Sequence, residues 1–160
     1  MLRGLFETHL DVADLDRSLA FYLGLGLETA LRREVDAARV DAHSRGARRF
    51  AFLWVGGQGR AMVGLWERSA GTIRPQHCAF EVALPEMPSL VAHLAQRGIA
   101  FRDFFQRPTT SPSVLGFIPA ASLYFDDPDG HVLELLAPIP AAPRPDLGIV
   151  TWSEWTARAT

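Results

Sequence analysis

The 160-residue chain contains no lysine and no asparagine. A Schiff-base amine, a phosphate-loop lysine and an N-glycosylation acceptor are therefore excluded. Its one cysteine, Cys78, cannot form an internal disulfide. The sixteen basic side chains, all arginine, are outnumbered by eighteen acidic ones, and the resulting net charge of -2 offers no footprint for a phosphate backbone. Nucleic acid is not an expected partner. Long apolar runs are also missing: Leu19 to Leu27 is nine residues with two glycines, where a membrane span needs about 20 apolar residues. The opening MLRGLFETHLDVADL lacks a basic region followed by an apolar core and a cleavage site, so the chain reads as cytoplasmic. What is present is ordinary globular material, 48% hydrophobic and 21% charged, enough for one compact domain with a sizeable core.

That material is duplicated. THLDVADLDRSLAFYLGLGL from Thr8 and HCAFEVALPEMPSLVAHLAQRGI from His77 both read as strand, turn, helix, glycine. The first strand is expected from Phe6 to Val12, followed by a helix capped by Asp14 with Leu15, Leu19 and Leu23 at four-residue spacing, ended by Gly24 and Gly26. The second runs from His77 to Val82 into a helix entered near Pro88, with Leu90 and Leu94 on one face and Gly98 as its stop. Each helix precedes a hairpin: Arg49 to Val55 with Arg60 to Trp66, and Ala121 to Phe125 with His131 to Leu136 across Asp126-Asp127-Pro128-Asp129-Gly130. Symmetry asks for one more strand in each half, around Ala30 to Val40 and Ala100 to Phe105. One offset of 70 residues relates Val12 to Val82, Asp11 to Glu81 and RAMVGLW to GHVLELL. It makes Glu7 the counterpart of His77, and Gly64 that of Glu134.

Strand alternation separates Thr8, Leu10 and Val12 from Glu7, His9 and Asp11, and Cys78, Phe80 and Val82 from His77, Ala79 and Glu81. The apolar sets should face helices and the polar sets a cavity. If the two sheets curve toward each other, Glu7, His9, His77 and Glu134 converge. Imidazole with carboxylates and no thiolate suits a divalent metal such as Zn, Mn, Fe(II), Co or Ni. Alternatively, His77 and Glu134 are satisfied polar groups near strand ends.

The segments THLDVADLDRSLAFY after Glu7, HCAFEV at His77 and LYFDDPDGHVLEL at Leu123 resemble the vicinal oxygen chelate superfamily of glyoxalase I, extradiol dioxygenases, fosfomycin-resistance enzymes and bleomycin-resistance proteins. The likeness spans about residues 5 to 138, and D-P-D-G-x-x-x-E is its most specific part. It implies an α+β fold of two βαβββ repeats, about 5–68 and 75–138, forming a curved mixed β-sheet cavity with helices outside. Family ligand positions fall on Glu7, His77 and Glu134, while the fourth is Gly64, for which Glu67 is a weak substitute. His9, two residues on and on the same strand face, is the alternative first-strand ligand, and whichever of Glu7 and His9 leaves the metal free is a candidate general base. A small-molecule substrate with vicinal oxygens is implied, handled by isomerase, lyase or dioxygenase chemistry. The competing expectation is a non-catalytic drug- or metabolite-binding protein of the bleomycin-resistance kind. Absence of lysine disfavours the fosfomycin-resistance branch. The resemblance also implies a homodimer.

Trp54, Trp66, Phe104, Phe105 and Tyr124 offer an aromatic wall or core packing. Arg48 and Arg49 point oppositely along a strand, and at least one reads as solvated. His131 in a hairpin, His43 in a polar loop, His93 on a helix and Cys78 under a helix need no function. Residues 139–160 form a proline-rich extension expected to run extended, until Thr151-Trp152-Ser153-Glu154 begins a short helix. Its Trp152 and Trp155 are expected to dock on the domain or a second subunit, or to lid the cavity.

Overall fold

The computed structural model describes residues 1, 3–36 and 46–158; the end of the first symmetry-inferred strand, near Val40, and His43 lie outside them. The described chain is α+β, with two mixed sheets and three helices. It divides into two compact units, one of residues 1–76 with 127–131, the other of residues 77–126 with 132–160.

In the first unit, β1 (Glu7–Val12), α1 (Leu15–Gly24), β2 (Glu28–Glu34), β3 (Arg49–Val55) and β4 (Ala61–Glu67) follow the order β-α-β-β-β. The sheet order is β1-β4-β3-β2, with β1 and β4 parallel and the other neighbours antiparallel. Parallel strands cannot be joined by a tight turn, so the intervening elements supply the crossover. Leu10 and Val12 are buried together with Ala51, Leu53, Val63 and Leu65, the alternate residues of their strands. Asp14 caps α1 by accepting from the backbone N–H groups of Asp16 and Arg17. The helix buries Leu15, Ser18, Leu19 and Tyr22, whereas Leu23 is exposed. A strict four-residue spacing drifts off a 3.6-residue helix, and by the third turn Tyr22 holds the inward place expected of Leu23.

The turn between the last two strands of the second half packs into this first unit. Asp127 Oδ1 accepts from the N–H groups of Asp129 and His131, while Oδ2 accepts the Tyr22 hydroxyl at 2.9 Å. Asp129 takes the N–H of Ala13, the Ser18 hydroxyl at 3.0 Å and the guanidinium of Arg17. Gly130 sits at φ 82, where a side chain would be strained. His131 is fully buried: its Nε2–H donates to the Asp11 carbonyl at 2.8 Å and its Nδ1 accepts from Gln76 N–H at 3.1 Å. The expectation of an incidental hairpin histidine is thus corrected to a pin between backbone segments.

In the second unit, β5 (His77–Glu81), α2 (Met87–Gln96), β6 (Ser113–Leu115), β7 (Ala120–Asp126) and β8 (Val132–Pro138) repeat the order, and β9 (Ile149–Thr151) and α3 (Trp152–Arg158) are added. The sheet runs β5-β8-β7-β6-β9, with β5 and β8 parallel. On α2, Met87, Val91 and Leu94 are buried, with Leu90 at the margin. The strand expected around Ala100 to Phe105 is instead reduced to isolated bridges from Arg102 to Pro108 and to Tyr124, and the regular strand comes later, at β6. Its interruption has a local cause. Asp103 accepts from Arg107 N–H at 2.9 Å and Arg107 Nε–H at 2.6 Å, folding the chain into a tight loop before a strand can continue.

The C-terminal segment pairs β9 with β6, covering an otherwise open sheet edge. Thr151 and Glu154 exchange the reciprocal bonds of a capping box at the start of α3. Trp155, 5% exposed, packs on Val114 and Val150, with Ile139, Leu147 and Trp152 around them. No helix of the described residues is long and apolar enough to cross a membrane.

Candidate functional site

Glu134 lies in the middle of β8 and is 4% exposed. A carboxylate removed from water needs its oxygens occupied, and here they are divided. Oε1 accepts the Ser122 hydroxyl at 2.5 Å, and Oε2 lies 3.0 Å from His77 Nε2. Parallel pairing produces this contact, because His77 stands opposite Val132 and Ala79 opposite Glu134, which puts His77 diagonal to Glu134 on one face. The short Ala79 leaves the space. Tyr124, directly across the sheet from Glu134, has its phenol pushed above the ordinary range by burial; Ser122 works against the rise and the Glu134 charge adds to it.

The first unit carries the complementary arrangement. His9 stands opposite Gly64 in the β1–β4 register, and a Cβ on that glycine would lie 2.7 Å from His9 Cδ2 and 3.0 Å from Phe52 Cε1. Gly64 is therefore the recess in which the imidazole sits. His9 Nε2 is 3.6 Å from Glu7 Oε1, and the ring contacts Phe52 and Trp66 at centroid distances of 5.6 and 5.7 Å. Phe50 stacks on Trp66 at 4.8 Å. The repeats thus solve one packing problem in opposite senses. At equivalent positions, the first unit places the large polar group on its first strand (His9) and the small residue on its last (Gly64); the second reverses this with Ala79 and Glu134.

Of the four expected site residues, Glu7 and His9 come together in one unit, and His77 and Glu134 in the other. Within each unit, no group of three or more His, Cys, Asp or Glu side chains among the described residues is gathered to hold a metal; each supplies a pair. The donor chemistry of the His77–Glu134 pair fits a divalent ion. An imidazole nitrogen and a carboxylate oxygen are both donors such ions accept, and here they stand side by side on one sheet face.

Glu67 does not replace the ligand missing at Gly64. It lies on the opposite face of β4 and accepts from Arg49 Nε–H at 2.9 Å, from Arg49 Nη2–H and from Leu15 N–H at 3.2 Å. Its bond with Arg49 holds its carboxyl below the usual range against burial, which acts the other way. Arg49 also reaches Asp16, so it is committed internally, whereas the Arg48 side chain is 71% exposed.

The aromatic residues divide between the units. Trp66 belongs with Phe50 and Phe52 beside His9, while Tyr124 and Phe104 form a ring contact near His77. Sequence reading missed Phe50 and Phe52, although their alternation with Trp54 in RFAFLWV carried the signal. It also missed Ser122, for which two-residue spacing before Tyr124 was the available clue.

A family model described as Glyoxalase/Bleomycin resistance protein/Dioxygenase superfamily matches residues 5–135. Among solved structures, an integron cassette protein from the mobile metagenome of a Halifax Harbour sewage outfall is 33% identical, with 85% of this chain and 99% of that chain covered at a TM-score of 0.65. Oxidase ChaP-H2 is 21% identical, covering 90% and 100%, at 0.61. The genomically encoded fosfomycin resistance protein FosX from Listeria monocytogenes, complexed with Mn(II) and sulfate, is 20% identical, covering 88% and 96%, at 0.58. These last two similarities concern the fold alone. No curated protein sequence matches the chain.

Proposed function

This chain belongs to the Glyoxalase/Bleomycin resistance protein/Dioxygenase superfamily, and on that premise we propose that it is a divalent-metal-dependent enzyme acting on a small substrate with two neighbouring oxygens. In the second unit the ligands are His77 and Glu134, and in the first Glu7 and His9 are the candidate ligand and base. The observation that carries this reading is the buried Glu134 carboxylate facing the half-exposed His77 imidazole at 3.0 Å. When bound, the ion supplies Lewis-acid stabilisation of negative charge on substrate oxygen. The donor set suits Zn, Mn, Fe(II), Co or Ni.

The chain's own residues supply the remainder. Ser122 fixes the orientation of Glu134 by occupying Oε1, directing Oε2 toward His77. Glu7 and His9 stand 3.6 Å apart, and whichever does not ligate is the candidate base that takes a proton from substrate carbon or oxygen and returns it elsewhere. Rings of Phe52 and Trp66 against His9 restrict how the imidazole turns. Proton relocation of this kind serves isomerase or lyase chemistry; oxidative cleavage is the other reaction within the proposal.

Ser122 and His77 already satisfy both oxygens of Glu134 without an ion, and this favours one alternative, a protein that binds and retains a small molecule without reacting. Metal content separates the two. Protein purified without chelators should contain a divalent ion in a fixed ratio to chain, and His77→Ala and Glu134→Ala should each lose it. Metal-free protein that binds small molecules stoichiometrically would favour sequestration.

A further inference from the structure

The loop from Asp103 to Arg107 spends structure on presenting two rings to solvent. Phe104 is 43% exposed and Phe105 52%, a costly arrangement for adjacent phenylalanines unless something covers them. The loop is nonetheless braced. Asp103, itself buried, accepts from Arg107 N–H and Nε–H, its own N–H donates to the Arg107 carbonyl at 3.0 Å, and Phe104 N–H donates to the Ser113 hydroxyl at 3.1 Å. Gln106 closes it at φ 65, the one non-glycine residue among those described with a left-handed backbone. Strain held in place by surrounding bonds is a feature of binding loops.

The rings continue the candidate metal pair. His77 contacts Tyr124 at a centroid distance of 6.0 Å, Tyr124 contacts Phe104 at 6.2 Å, and Phe104 meets Phe105 edge to face at 5.5 Å. Arg107 lies over Phe105 at 5.2 Å, with its charge met by Asp103 at 2.6 Å. Phe104 and Phe105 lie two and three ring steps from His77, and the surface they present is apolar and electrically balanced, suited to a neutral planar group.

We infer that the 103–107 loop is a specificity element of the metal site, with Phe104 and Phe105 receiving an aryl substituent of a substrate whose vicinal oxygens bind the ion that His77 and Glu134 would hold. The preferred substrates are thus aryl-bearing rather than small aliphatic vicinal-oxygen compounds. This inference rests on the metal-site reading proposed above.

Mandelate and lactate test it, because both present the same 2-hydroxycarboxylate head and differ by phenyl against methyl. Titration calorimetry with the 160-residue chain supplied with Mn(II) should give mandelate an affinity at least tenfold higher than lactate, about 1.4 kcal/mol. In Phe104→Leu with Phe105→Leu, the preference should fall to within about twofold through loss of mandelate affinity. Both positions are exposed, so unchanged thermal unfolding serves as the control for folding. Equal affinities in the unaltered protein, no binding of mandelate at millimolar concentration, or a preference that survives the double substitution would overturn the inference. The two readings fail differently. Binding abolished by His77→Ala, with a preference indifferent to the phenylalanines, removes the role of the 103–107 loop alone; binding and preference both intact in His77→Ala remove the metal-site reading and this inference with it.

Discussion

Gly64 shows how one residue is read differently by sequence and by structure. From the repeat register it is an absent ligand, the counterpart of Glu134 that carries no donor. In the sheet it is the space His9 occupies, since any Cβ there would come within 2.7 Å of the imidazole. The register was legible because an offset of 70 holds across both halves; the exchange of size between strands was not, because alternation assigns a face but says nothing of volume across the ladder. Gly64→Ala is expected to destabilise the fold by about 1–3 kcal/mol through overpacking, measured by urea unfolding. Combining it with His9→Ala should restore most of that loss. Independent, additive effects of the two substitutions would contradict the role assigned to the recess.

At the scale of elements, the D-P-D-G turn gave the sequence its most specific likeness, and the structure attributes that to anchoring. Asp129 ties the turn to Ala13, Arg17 and Ser18 around the start of α1, and Asp127 holds Tyr22 near its end. A turn signal was legible in Pro128 and Gly130; the long-range partners, more than 100 residues away in sequence, were not, because turn chemistry is local. The Asp103 loop shows the reverse failure. Symmetry with the first half called for a strand there, but a carboxylate that captures Arg107 N–H folds the backbone away from the ladder. Replacing Asp129 with alanine should cost about 1–3 kcal/mol by leaving partly buried donors unmet, with amide exchange on α1 accelerating more than on α2. Uniform acceleration on both helices would show that the turn does not anchor α1.

For the whole molecule, the βαβββ order recurs in both halves, and the parallel pairing of first and last strands follows the same register in each: His9 opposite Gly64, Ala79 opposite Glu134. Hydrophobic alternation and glycine stops made most strands and both early helices legible, since those signals are local and repeat. The candidate site was legible as four residue types on corresponding strands; its supports, Ser122 beneath Glu134 and Phe52 beside His9, follow from cross-strand geometry that spacing alone does not convey. The central claim is that the imidazole and carboxylate of the second half take up a cation. Crystals of the protein grown with Mn(II), with diffraction recorded near the manganese edge, address it directly. The account predicts one anomalous peak within about 2.3 Å of both His77 Nε2 and a Glu134 carboxylate oxygen. Crystals with no such peak would contradict it.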